Sequence, residues 1–458
     1  MKPNLTPSPS PSDAPDAHGR RTIAVIGSGI AGLSAAWLLS QRFNVTLFER
    51  DGRVGGHANT LEIGGPSGPV PVDAGFIVYN PPNYPNLTAL FDHFGVATQP
   101  TRMSFAASLR GGRFEYSSRG YRGIFSQPSN LLRPRFWSLL SEIVRFYKRA
   151  EALAATDAID DITLGAFIDR ETANDRLARD HVLPMCAAIW STTADDIRSF
   201  PLKSFIRFFA NHGLFDISGR APWRTVTGGS REYVKHLRDV LGDRIKVNAA
   251  VSHVMRDPGG VTLQTDAGAQ RFSDVVIATH GDDALKLLGD ASPLERSILG
   301  AFRTTPNRAI LHDDAALMPR RRRAWAAWNY LEGDSDTGER PLSVTYWMNE
   351  LQRLPAATPA FVTLNPLREP KKGSIKHVID YTHPVFDQAA LDAQTRLWEI
   401  QGCRNTWFCG SYFGYGFHED ALQSGLAVAE AFGVKRPWQV ENASGRMPPM
   451  PRLMEAAE

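Results

Sequence analysis

Three glycines wedged between two hydrophobic patterns constrain this chain more than any other feature. Thr22–Ile26 is a short apolar run containing Val and Ile, Gly27-Ser28-Gly29-Ile30-Ala31-Gly32 follows at once, and Leu33–Phe43 then shows helical apolar spacing. That order reads as strand, tight turn, helix. Val45–Glu49 is a second buried strand, so a βαβ unit closes within about thirty residues, and the right-handed crossover rule makes its two strands parallel. Each glycine has its own reason: Gly27 for the turn, Gly29 for close approach of backbone to a pyrophosphate, Gly32 for helix-to-strand packing. Glu49 ends the second strand 17 residues after Gly32, where a carboxylate can accept hydrogen bonds from a ribose. The sequence therefore reads as dinucleotide-binding, with the anion at a helix N-terminus.

The rest of the chain must supply what such a unit lacks. With 458 residues, a prior of ~150 per domain allows two large domains or three smaller ones. Lys plus Arg number 51 against 48 Asp plus Glu, a balance that gives no charge-based case for nucleic acid. Cys186, Cys403 and Cys409 are too few and too scattered for a disulfide framework or a cysteine zinc site, so a reducing, cytoplasmic setting is the expectation. No histidine pair has metal-ligand spacing, and no metal is expected. Residues 1–20, rich in Pro, Ser and Asp, read as a disordered leader, and the tail beyond Pro437 as frayed. The longest apolar stretch, Ile23–Leu39, holds three glycines and two serines and does not read as a membrane span.

Downstream, Leu87–Phe94 and Phe136–Tyr147 read as helices, and residues 111–209 as mainly helical and aromatic-rich. A helix near Arg231–Val240 precedes short strands at Ile245–Val247, Val251–Met255, Val261–Thr265 and Val275–Ala278. Residues 307–364 again read as strands. The last motif is a strand, Thr406–Cys409, a glycine-rich turn, Gly410–Gly416, and a helix over about 420–432.

Glu49-Arg50-Asp51-Gly52-Arg53-Val54-Gly55-Gly56-His57 resembles the E-x-x-x-x-x-G-G continuation of FAD-binding oxidoreductases of the amine oxidase, protoporphyrinogen oxidase and phytoene desaturase superfamily. Val72-Asp73-Ala74-Gly75-Phe76 is similar to that family's D-x-G segment near the isoalloxazine. Trp407–Ser411 followed by Gly416–Gly425 resembles its C-terminal flavin motif. The chain departs from the pattern at His57, where the family usually has arginine, and at Ser411, where an acid is frequent. The resemblance implies an α/β fold in which a Rossmann-like FAD-binding domain, glutathione-reductase-like and of amine oxidase type, is interleaved with an α+β substrate domain. It implies FAD contacts from Gly27, Ser28, Gly29, Ile30, Ala31 and Gly32 in the turn, and from Glu49 and Arg50 at the ribose. Gly55, Gly56 and His57 would pass the pyrophosphate and flavin end, Gly75, Phe76 and Val251 would follow, and Gly410, Ser411, Gly416, Phe417 and Ala421 would close the site. The helix beginning near Asp420 is expected to aim its positive end at the flavin edge. The cysteine pentapeptide that tethers flavin in monoamine oxidases is absent, so FAD is expected to be non-covalent.

A nearer resemblance covers Thr22 to about Phe432. GGHANT, DAGFIVYNPPNYPNLTALFDHFGV, FEYSS and FWSLLSEIVRFYK are similar to a bacterial group of FAD-binding oxidoreductases and to the amine-oxidase-like N-terminal region of plant cyclopropane fatty acid synthases. That kinship implies a lipid acyl chain as substrate. Three functions stay open: dehydrogenation of a hydrophobic substrate by hydride transfer to flavin N5, amine oxidation, and a non-catalytic flavin-binding partner of a lipid-modifying enzyme. No second G-x-G-x-x-G occurs, so electrons are expected from the organic substrate. His57 and His418 are the candidates for proton transfer, against a role as polar wall contacts.

The expected boundaries are 21–110, 210–306 and 388–436 for the FAD-binding domain and 111–209 with 307–387 for the substrate domain. The latter blocks carry Phe136, Trp137, Phe146, Trp190, Phe208, Trp325, Trp328, Tyr346 and Trp347, expected to line an apolar pocket. Arg320–Arg323 beside Trp325 and Trp328 reads as a solvated loop, with peripheral contact to anionic lipid as the alternative.

Overall fold

A computed structural model describes residues 21–156, 159–172, 175–190, 194–215, 222–332 and 342–440. The leader, 1–20, and most of the expected tail, 441–458, lie outside the described residues. Within the described part of that tail, Trp438 stacks on Trp37 with ring centroids 5.7 Å apart, so the chain is anchored past the point where fraying was expected.

The chain forms two compact units. The first gathers the residues up to His57, Tyr233–Arg303, and the residues from Ala389 onward; the second gathers Ala58–Glu232 and Thr304–Gln388. The expected boundaries at 110 and 210 are thereby corrected to 57 and 233. The reason is hydrogen bonding made far along the chain. The hairpin of Thr60–Gly65 and Gly68–Asp73 is tied through Asp73 to Ser230 and Gln352, and the strand Phe105–Leu109 pairs with Trp328–Glu332.

In the first unit, β1 (Thr22–Ile26), α1 (Ile30–Leu39) and β2 (Asn44–Phe48) form where the sequence puts them. They sit in a five-stranded parallel sheet ordered Thr406–Phe408, Asp274–Ile277, β1, β2, Ile245–Lys246. Every residue of α1 is buried, which explains its all-round apolar sequence: a helix covered on all sides has no polar face to keep. The C-terminal helix His418–Ala431 packs on it. An antiparallel sheet of Val251–Asp257, Gly260–Thr265 and Gly268–Phe272 completes the unit over a core containing Phe48, Val275, Ile277 and Phe408.

The second unit is built on a seven-stranded sheet, ordered Ile375–Val385, Arg303–His312, Phe361–Leu364, Leu342–Trp347, Trp328–Glu332, Phe105–Leu109, Phe114–Ser117. Its strands pair antiparallel where Phe361–Leu364 meets Leu342–Trp347, but Trp328–Glu332 and Phe105–Leu109 run parallel. Helices Pro134–Thr156, Leu164–Glu171, Leu183–Trp190 and Leu202–Asn211 supply the helical block that was expected. Among the described residues no helix is long and apolar enough to cross a membrane.

Candidate functional site

The three glycines of the first turn differ in what surrounds them. Gly27 has φ of 100°, and a Cβ there would lie 2.8 Å from the carbonyl oxygen of Ala278; at Gly32 it would lie 1.9 Å from the carbonyl oxygen of Gly27. Both positions are closed by protein. Gly29, in ordinary extended backbone, has nothing within 4 Å of where a Cβ would be. Space left open at the N-terminus of a buried helix, between two closed glycines, fits a bound anion.

Ser28 joins this turn to the two later segments. Its N–H donates to Glu49 Oε2 at 3.0 Å and its hydroxyl donates to the same oxygen. The N–H of Gly55 donates in turn to the Ser28 carbonyl at 3.0 Å and to its Oγ at 3.2 Å. Gly56, with φ of 55°, comes so near that a Cβ would be 3.0 Å from the Cα of Gly29. Glu49 Oε1 accepts from Asp51 N–H at 2.9 Å. The predicted turn, acid and glycine pair therefore form one structure. Arg50 stands outside it, largely exposed and 3.8 Å from Asp51.

The C-terminal motif is fixed onto the same place. A Cβ at Gly425 would lie 2.2 Å from the carbonyl oxygen of Ala31, so the C-terminal helix rests on the first turn of α1. Ser424 Oγ accepts from Gly410 N–H at 2.9 Å, and Ser411 C=O accepts from Gly416 N–H at 3.2 Å. The helix begins at His418, two residues before the expected start. Asp420 Oδ2 accepts from the N–H groups of Tyr415, at 3.1 Å, and Phe417, at 2.9 Å, and Glu419 beside it is also buried. Two buried carboxylates thus lie in the first turn, at the positive helix end expected to point at the flavin edge. Ala421 lies in this first turn. Val251 starts the antiparallel sheet and packs against the core that contains Phe48.

Burial keeps two histidines of this unit, His418 and His280, neutral. His418 shares a 3.1 Å hydrogen bond with the Tyr233 hydroxyl, and desolvation pushes its pKa down to about 3. His280, beside the N-terminus of the helix Gly281–Leu287, is also pushed below its usual value by burial, and His57 meets its ring edge-on at 6.3 Å between centroids. A His418 that stays neutral through the physiological range is a hydrogen-bonding wall, not a proton shuttle tuned near neutrality.

Gly75 and Phe76 belong to the second unit and follow a residue whose role the sequence did not reveal. Asp73 is fully buried and its carboxylate accepts from Thr60 Oγ1 at 2.6 Å, Ser230 N–H at 2.9 Å, Ser230 Oγ at 2.8 Å and Gln352 Nε2 at 2.9 Å. Burial raises its pKa to about 6 in spite of these donors. Gly229 is required beside it: φ is 92°, and a Cβ would lie 2.4 Å from Thr60 Cγ2. The D-x-G resemblance contained this acid, but its partners sit 157 and 279 residues away.

Four of the nine predicted pocket aromatics, Phe136, Phe146, Phe208 and Trp325, are buried core, and Trp190, Trp328, Tyr346 and Trp347 are partly buried. Trp190 packs on Phe200 and Phe208, Phe146 on Phe167 and Phe205, and Trp325 on Trp347 and Phe361, whereas Trp137 is half exposed. Two clefts in this unit, a polar one of about 250 Å³ lined by Arg102, Asn349, Glu350 and Arg353 and a mixed one of about 260 Å³ beside Leu331, Leu367, Arg320 and Arg368, include none of them. Arg320, Arg322 and Arg323 of the arginine run are exposed, as a solvated loop requires, but Arg321 is tied to a buried acid. Buried Glu115 accepts from the N–H groups of Arg320 and Arg321 and from the Arg321 guanidinium, and Arg322 lies 3.8 Å over the Trp325 ring.

Residues 30–432 match the model of a family described as flavin containing amine oxidoreductase. A Mycobacterium tuberculosis protein, AofH, named as a flavin-containing monoamine oxidase, is 29% identical over 267 residues; the match spans 56% of this chain and 56% of that protein, about half the length of each. Cyclohexylamine oxidase from Brevibacterium oxydans IH-35A has a similar structure, with TM-score 0.66 and 15% identity over 90% of this chain and 100% of that one. So has a conjugated-linoleic-acid (CLA)-producing fatty acid isomerase from P. acnes, with TM-score 0.61 and 16% identity over 90% and 98%. At such identities these two establish the fold alone.

Proposed function

The chain belongs to the flavin containing amine oxidoreductase family, and on that premise we propose that it is an FAD-dependent oxidoreductase that dehydrogenates a hydrophobic organic substrate, with a lipid acyl chain as the substrate class. The observation that carries the cofactor half of this reading is the contrast within one turn: Gly27 and Gly32 are closed by protein while the face of Gly29 is open. The residues present fit FAD. A diphosphate would lie against Gly29 at the N-terminus of α1, and Glu49 Oε1, with one acceptor site engaged by Asp51, would take the ribose hydroxyls.

When bound, the flavin supplies a two-electron acceptor whose N5 takes hydride from a substrate C–H bond and passes the pair onward. Ser28 and Glu49 hold the turn in shape, and Gly55 and Gly56 keep a second stretch of backbone beside it. His418 and His280, neutral by desolvation, offer hydrogen bonds without adding charge. No proton relay is assigned to them, which suits removal of hydride from an unactivated chain, where orientation matters more than acid–base groups. Cys409 is buried in the sheet with its thiol pushed well up, and Cys186 is likewise buried, so neither is a poised thiolate, which supports non-covalent FAD.

The fatty acid isomerase of similar fold supports the acyl reading. A second reading, amine oxidation, is favoured by the AofH relative and by Trp328 and Tyr346, half-buried on adjoining strands with rings 5.6 Å apart, whose π faces suit a cation. Anaerobic mixing of the holoprotein with fatty acyl donors and, separately, with primary amines decides between them. Bleaching of the visible flavin absorbance by acyl donors supports the first reading; bleaching by amines alone replaces it with the second. Bleaching by neither points to a non-catalytic flavin-binding partner of a lipid-modifying enzyme.

A further inference from the structure

Nine large apolar side chains stand exposed among the described residues, and four of them, Tyr121, Leu131, Leu132 and Trp137, fall in one short stretch of the second unit while the other five are scattered. Tyr121 is 84% exposed and Leu132 88%, with Leu131 and Trp137 at 49% each. They are not loosely held. Trp137 Nε1 donates to the Leu131 carbonyl at 3.0 Å, the Trp137 ring lies 5.5 Å from that of Phe125, and Phe125 N–H donates to the Tyr121 carbonyl at 2.9 Å. Exposed apolar side chains clustered on an ordered segment mark an interaction surface.

Its charge identifies the partner. Arg122, Arg133 and Arg135 are exposed among these side chains, and Arg145 and Lys148 continue along the helix Pro134–Thr156. Among the described residues none of the five has a carboxylate partner. The one acid between 116 and 149, Glu142, is engaged by Ser138 at 2.8 Å and lies 4.0 Å from Arg176. A two-fold contact between copies would set these cations against one another. Guanidinium groups for phosphates, indole and phenol rings for the headgroup level and leucines for the acyl boundary form one combination, that of an interfacial anchor. We propose that the face formed by Tyr121, Leu132 and Trp137 with Arg122, Arg133 and Arg135 docks the protein on the surface of a bilayer containing anionic phospholipid. The proposal stands apart from the substrate reading, since it concerns a surface and not the flavin.

Sedimentation of the FAD-loaded protein with phosphatidylcholine vesicles, with and without phosphatidylglycerol, tests it. The wild type is expected to pellet with the anionic vesicles at low salt, to be released by 1 M salt, where the Debye length falls to about 3 Å, and to stay in solution with phosphatidylcholine alone. Tyr121→Ser with Leu132→Ser lowers partitioning by about tenfold or more. Arg122→Glu with Arg135→Glu lowers it at least as far. Both doubles leave the flavin spectrum and thermal midpoint unchanged, because the side chains are exposed. Absence of wild-type binding, equal binding by the doubles, or a concentration-dependent dimer broken by Leu132→Ser would each overturn the proposal.

Discussion

Glu49 and Asp73 are both buried acids at the ends of strands, and they do opposite things. Glu49 holds the first turn through Ser28 and Asp51, keeps a trace of exposure, and stands next to the open face of Gly29. Asp73 is sealed, with four donor groups converging on its two oxygens and a glycine, Gly229, excluded from having a side chain by Thr60. An acid surrounded by the chain's own donors is a junction; an acid beside space that the chain declines to fill is part of a binding site. The distinction separates the two units by purpose as well as by sequence.

The largest expected effect is at Gly32. Gly32→Val would drive a side chain into the Gly27 carbonyl, and the β1–α1 turn is expected to fail as a fold, giving little soluble protein and no flavin. Soluble, flavin-loaded protein from this variant would show that the turn relaxes and would erase the contrast with Gly29. Next comes Asp73→Asn, which turns an amide N–H toward groups that already donate and is expected to cost about 3 kcal/mol in denaturant unfolding. A loss below about 1 kcal/mol would demote Asp73 from a junction to a bystander. Glu49→Ala should weaken FAD binding by about 1.5 to 3 kcal/mol in a titration of apoprotein, through loss of charge-assisted hydrogen bonds.

pH dependence has opposite signs in the two places. Asp73 is raised from its ordinary 3.8 to about 6, so the native state binds the extra proton between those values and stability is lost as pH rises through that window. His418 is lowered from 6.5 to about 3, so the unfolded state binds more protons there and stability is lost as pH falls from about 6.5 toward 3. Each variant minus wild type, Asp73→Asn and His418→Gln, should therefore show stability differences of opposite slope between pH 4 and 6. Parallel slopes would break the assignment.

How much of this was legible in the chain follows from how far the deciding contacts reach. β1, α1 and β2 could be read because glycine spacing and apolar period are local, and the C-terminal strand, turn and helix for the same reason. That Ser28 joins Glu49 to Gly55 needed three-dimensional closeness, though all three residues had been singled out. The unit boundaries were misplaced because the hairpin ending at Asp73 looks continuous with the nucleotide segment until Gln352, 279 residues later, captures it. Arg321 looked solvated because its partner, Glu115, is buried two hundred residues upstream. The aromatics Trp190, Phe146 and Trp325 looked like pocket walls because composition does not distinguish a lined cavity from a filled one.

In the proposed function FAD is seated on the open face of Gly29. Gly29→Val is the direct test, since its backbone is extended and no protein atom lies within 4 Å of where its Cβ would stand. Flavin content per chain, measured on purified wild type and variant alongside thermal unfolding of both apoproteins, gives the answer. Folded apoproteins are expected from both, the variant within about 1 kcal/mol of the wild type, with stoichiometric FAD released by acid from the wild type and none retained by the variant. A folded Gly29→Val protein that holds FAD as the wild type does would contradict that placement.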